Sequence, residues 1–143
     1  MILDDATDQQ IDCTAGGCNG ADTGNNGYGD NLDCFKTIQA PVGTVIQLDF
    51  SHMALESGAP CAGANGGVGC DIVTVYDGAS TTAAVLGVFS GNTVPETLQS
   101  TGDAMTIRFQ TDVGNFGFSQ AGVTDDPGFY VRSADLPPVC SAA

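Results

Sequence analysis

The chain has 143 residues, of which 17 are acidic and 3 basic (Lys36, Arg108 and Arg132), for a formal charge of −14. Such a length fits one domain, 1–143, that can bury about two-thirds of its unfolded surface and so form a core without outside help. The charge argues against nucleic acid and anionic membranes as partners and favours cations and basic protein surfaces, although a solvated acidic surface suited to solubility is the simpler reading.

In chain order, residues 1–33 hold seven Asp, no basic residue and the Gly/Asn-rich stretch GGCNGADTGNNGYGDN. This segment is expected to be irregular and held by cysteines. From Cys34 the texture changes. CFKTIQA (34–40) and TVIQLDF (44–50) read as strands separated by a Pro41-Val42-Gly43 turn, with Ile46, Leu48 and Phe50 sharing one face. Residues 51–70 form a long loop rich in Gly and Ala. DIVTVYDG (71–78) is a strand that ends in an Asp-Gly turn, with Val73 and Val75 on one face. AAVLGVFSG (83–91) and PETLQST (95–101) are shorter strands. In AMTIRFQT (104–111), Met105, Ile107 and Phe109 alternate with Thr106, Arg108 and Gln110, the period of a strand with one buried face. FGFSQAGV and GFYVRS follow, and LPPVC closes the chain.

No apolar i, i+3, i+4 pattern lasts three turns, so no helix is expected. Short strands punctuated by Gly, Pro and Asp predict an all-β fold, an antiparallel sandwich or barrel. No apolar run approaches about 18 residues, so no membrane insertion is expected. The opening MIL is too short for the apolar part of a leader, so a leader, if made, is expected to be absent from this chain.

Six cysteines, Cys13, Cys18, Cys34, Cys61, Cys70 and Cys140, form an even set that predicts disulfides and an oxidising, extracellular compartment. Zinc is the rival reading, but His52 is the only histidine and no second close pair follows Cys13 and Cys18 at finger spacing. Six cysteines allow 15 connectivities, and spacing alone does not choose among them.

DCFKTIQAPVGTVIQLDFSHMALES, CDIVTVYDG, LGVFSG, STGDAMTIRFQTD and a closing GF stand in an order that resembles a CUB domain over about residues 28–120. The acidic segment 1–27 and the extension 121–143 lie outside that resemblance. It implies a disulfide-stapled β-sandwich of jelly-roll-like topology, in a secreted or cell-surface, mostly non-catalytic recognition module. It also implies the calcium-binding subset of the family. Glu56, Asp71 and Asp112 would supply carboxylates, Gly114 its carbonyl and Asn115 its side-chain oxygen, with Tyr28 accompanying the ion.

The chemistry of that set is sound in its own right, because Ca2+ takes about 6–8 oxygen ligands and three gathered carboxylates repel one another without a cation. Read without the resemblance, DVGN (112–115) is better taken as an ordinary polar turn, with Asp71 and Glu56 solvated. The sequence departs from the family where its usual fourth cysteine is Ser90, and the loop between Glu56 and Asp71 is longer than usual. The resemblance therefore implies a Cys61–Cys70 bridge in place of the lost bond, Cys34 joined to Cys13 or Cys18, and the remaining cysteine reaching Cys140.

Three functions compete. The first is a calcium-dependent recognition module whose acidic end takes basic side chains of an extracellular protein, or a glycan. The second is a structural subunit of a coat, fibre or matrix, for which an oligomer is expected. The third is an enzyme. His52 is better read as a surface or loop-packing residue than as a catalytic one, and no spacing among Glu96 and the aspartates singles out an acid and a base, so no catalytic residue is assigned. Phe116, Phe118, Phe129 and Tyr130 are expected in the core.

Overall fold

The computed structural model describes residues 3–4, 9–10, 33–55, 57, 69–112 and 128–136. The strands are β1 (Leu3–Asp4), β2 (Gln9–Gln10), β3 (Asp33–Gln39), β4 (Val45–Ala54), β5 (Ile72–Asp77), β6 (Ala84–Phe89), β7 (Leu98–Gln99), β8 (Ala104–Gln110) and β9 (Gly128–Leu136). A four-stranded sheet runs β3-β8-β5-β6, a three-stranded sheet runs β7-β4-β9, and β1 and β2 pair with each other. Every pairing is antiparallel. The fold is the all-β sandwich that the sequence implies.

The inner faces follow from the alternation. Ile46, Leu48 and Phe50 of β4 meet Val73 and Val75 of β5 and Met105, Ile107 and Phe109 of β8 in one buried cluster. Phe129 and Val131 of β9 complete it. The Phe129 ring stands edge-on to Phe109, with centroids 5.1 Å apart, and lies 6.5 Å from Phe50. Phe129 and Val131 lie beyond residue 120, so part of the extension set outside the resemblance is core strand.

Two more differences have local causes. The N-terminal segment, expected to be irregular, holds β1 and β2, each two residues long and too short to register as a period. β4 runs to Ala54, four residues past the predicted end. A bulge between Phe50 and His52 shifts its register against β9. The bulge puts Phe50 and Met53, three apart, both in the core, which breaks the alternation in the sequence.

The Pro41–Thr44 turn closes with the Thr44 amide donating to the Pro41 carbonyl at 3.1 Å, and Gly43 takes φ 86°. A positive φ at the third position is what a type II turn requires, and glycine adopts it without a Cβ clash.

Candidate functional site

β5 starts at the same end of the sandwich where β8 finishes, since Ile72 pairs with Gln110. Asp71 stands just before β5 and Asp112 just after β8. The Asp112 backbone N–H donates to Asp71 Oδ1 at 3.0 Å. Asp71 is fully buried, whereas Asp112 is exposed. The hydrogen bond fixes the chain of one predicted ligand onto the carboxylate of another.

β4 delivers its C-terminal end to the same place. The Leu55 amide donates to the Gly91 carbonyl at 2.9 Å, which ties the chain just before Glu56 to the segment leaving β6. In that segment Ser90 Oγ donates to the Asp71 carbonyl at 2.6 Å. Ser90, where the resemblance expects a cysteine, thus ties the β6 exit to the β5 entry by a hydrogen bond. The start of β5 and the ends of β8, β6 and β4 are therefore linked in one cluster that includes Asp71.

Glu56, Gly114, Asn115 and Tyr28 lie outside the described residues, as do Phe116 and Phe118. Among the described residues no three or more His, Cys, Asp or Glu side chains gather as a metal site. Asp71 and Asp112 are the described part of the predicted set. What joins them is the Asp112 backbone amide on the Asp71 carboxylate; carboxylate oxygens are the donor type that suits a hard divalent cation.

Cys34 is buried, with its Sγ 3.7 Å from the Phe109 carbonyl oxygen. Its expected partners Cys13 and Cys18 lie outside the described residues. Cys70 is disulfide-bonded, and Cys61 and Cys140 lie outside the described residues. His52 is half-buried on β4 opposite Tyr130.

Charge at this end extends to the outer face of the four-stranded sheet. Arg108 Nε and Nη2 each donate to Asp33 at 2.7 Å, a bidentate pair. The hydrogen bond from Arg108 holds the Asp33 carboxyl below its usual range, against the opposing effect of burial. The same bond pushes the Arg108 guanidinium up. On the other sheet, Thr97 and then Gln47 donate to Asp49, and both lower its carboxyl. Neither arrangement was singled out from the sequence. The one available signal was that Arg108 is one of three cations in the chain.

The described residues form an antiparallel β-sandwich with Asp71 and Asp112 at one end. The CUB domain model matches residues 13–119, and the chain belongs to the CUB domain family. The match reaches back past residue 28 to Cys13. The chain is 34% identical to mouse Tolloid-like protein 1 over 112 residues and 40% identical to pig cubilin over 94 residues. Those alignments cover 78% and 64% of this chain but only 10% and 2% of the two relatives.

Among solved structures, the CUB1-EGF-CUB2 domain of human MASP-1/3 superimposes with TM-score 0.58 at 26% identity, over 78% of this chain and 38% of that one. The extracellular region of zebrafish Gpr126/Adgrg6 gives 0.56 at 28% identity, over 96% and 14%. The MASP-1 CUB2 domain bound to Ca2+ gives 0.50 at 21% identity over 78% and 82%, a likeness of fold. CUB domains are extracellular protein-interaction modules without catalysis of their own.

Proposed function

We propose that this chain is a secreted, non-enzymatic, calcium-binding recognition module. In this reading Glu56, Asp71, Asp112, the Gly114 carbonyl and the Asn115 side chain hold one Ca2+, with Tyr28 beside it. The supporting observation is the hydrogen bond from the Asp112 amide to the buried Asp71 carboxylate, which brings two predicted ligand positions together at one end of the sandwich. The solved MASP-1 CUB2 domain is described as bound to Ca2+, which fits the same expectation.

Bound Ca2+ would neutralise the carboxylates and fix their oxygens. The exposed edge of the site then offers oriented negative charge to a lysine or arginine of an extracellular partner protein, and the −14 charge steers such a partner at low salt. A glycan is the second partner class. Cys61 is assigned as the partner of Cys70, closing the loop before Asp71, and the other four cysteines are assigned to disulfides suited to an oxidising compartment.

Isothermal titration with CaCl2 tests the ion. One site per chain is expected for the wild type and none for Asp112→Ala. Stoichiometric binding that survives Asp112→Ala would overturn the assignment. The reading of the chain as a subunit of an extracellular assembly is favoured by a different feature, the uncharged edge of β6.

A further inference from the structure

We propose that the outer edge of β6 is a pairing surface for a second copy of this chain, joined strand to strand about a two-fold axis. The proposal stands apart from calcium and from the acidic end.

The four sheet edges are not alike. Among the described residues β6 is hydrogen-bonded on one side only, to β5. β3, at the opposite edge of the same sheet, carries Asp33 and Lys36. In the other sheet β7 is two residues long, and β9 carries Arg132 and Asp135 and lies against β1. Charge, shortness and covering are the ordinary means by which an edge is kept from pairing with another chain.

β6, AVLGVF, has neither charge nor proline. From Gly78 to Pro95 the chain runs 18 residues without a charged side chain, its longest such run. On a molecule of charge −14, two copies approach at least electrostatic cost where neither is charged. That condition picks a second copy over a charged partner and places it at β6.

Side chains on this strand match under two-fold symmetry. Val88 lies opposite Thr74 and Val85 opposite Tyr76, on the outer face, and both valines are exposed, at 37% and 55%. A bulge between these pairs leaves Leu86 as the extra residue and puts the two valines, three apart, on one side. An antiparallel pairing centred between Leu86 and Gly87 sets Val85 of each copy directly across from Val88 of the other. Four valines then cover one another on the outer face, the cross-strand contact that β-branched residues favour. A two-fold contact of this kind closes at a dimer.

Sedimentation velocity on the whole chain, across protein concentration and in 20 mM and 500 mM NaCl, tests this. Because self-repulsion opposes the contact, dimerisation should strengthen severalfold at the higher salt, where screening shortens the reach of charge to a few ångströms. Val88→Lys should weaken it at least tenfold, since the symmetric contact carries each substitution twice. Val85→Lys should do the same. Both sites are exposed, so the melting temperature of the monomer should not fall. Each lysine lowers the net negative charge, so a non-specific association would become stronger instead.

Hydrogen exchange gives the second readout. Amides of residues 84–89 should gain protection as the wild type dimerises, and should not in Val88→Lys. A chain that stays monomeric at millimolar concentration and high salt overturns the proposal. So does a dimer unaffected by both lysines or one that leaves 84–89 unprotected. Repeating the series in chelator separates this edge from the calcium site, because the proposal predicts the same dimer with and without Ca2+.

Discussion

Replacing Asp71 with alanine removes the acceptor that holds the Asp112 amide at 3.0 Å. Asp112 is exposed, so water can take up its freed amide, and Asp71→Ala should lower the unfolding free energy in chelator by about 1 kcal/mol, the net worth of an ordinary hydrogen bond. Asp71→Asn keeps an acceptor oxygen and loses the charge. It should retain most of the stability in chelator and lose the response to calcium, which chemical denaturation with and without CaCl2 can resolve. Asp33 and Asp49 bear on pH. Both folded carboxyls titrate below their unfolded value, held down chiefly by hydrogen bonds from Arg108 and Thr97 respectively. Their contribution is therefore present above the unfolded pKa, about 3.9, and is lost as pH falls through the lower folded value. Asp33 is exposed and Asp49 only half-buried, so the effect is small. Thermal melts between pH 5 and 2 should show a shallower acid loss for Asp33→Asn than for the wild type. Equal slopes would mean that the pair contributes nothing. Asp71 and Asp112 are legible as ligand candidates through the CUB resemblance; the strand pattern alone leaves DVGN an ordinary polar turn and Asp71 a solvated carboxylate. The Arg108–Asp33 pair was not legible, since the two are 75 positions apart and meet only through the β3–β8 register.

The extension beyond residue 120 contributes β9, and Phe129 is fully buried against Phe109 and Phe50. Phe129→Ala should cost about 3–5 kcal/mol, the usual effect of emptying an aromatic core position. A loss below about 1 kcal/mol in urea denaturation would mean that β9 is a loosely attached strand. The β8 alternation and the β5 valines translated directly from sequence to buried face. In β4 the period-2 pattern ends at Phe50 because a bulge between Phe50 and His52 changes its phase. In β5 the residues opposite the core, Ile72, Thr74 and Tyr76, are buried as well. β5 lies between β8 and β6 and has no edge of its own. Gly87 illustrates a close approach that sequence does not announce. A Cβ there would collide with the Phe89 ring, whose partner in the core is Phe50 at 5.5 Å. Gly87→Ala should displace that ring and lower the melting temperature, although alanine normally favours a strand more than glycine does.

For the molecule as a whole, a charge of −14 opposes compactness, and screening relieves it. The melting temperature in chelator should therefore rise with NaCl alone. A calcium effect has to be measured against that background, at matched ionic strength. The central claim is that the strand ends around Asp71 hold Ca2+ in the folded chain and release it on unfolding. The direct measurement is the thermal unfolding of the wild type in chelator and in millimolar CaCl2, with ionic strength held equal by NaCl. A cation present at a hundred times its dissociation constant adds about 2.7 kcal/mol to a single-site protein, so the melting temperature should rise in calcium and the rise should vanish in Asp71→Asn and Asp112→Ala. Identical melting temperatures for the wild type in chelator and in calcium would contradict the account.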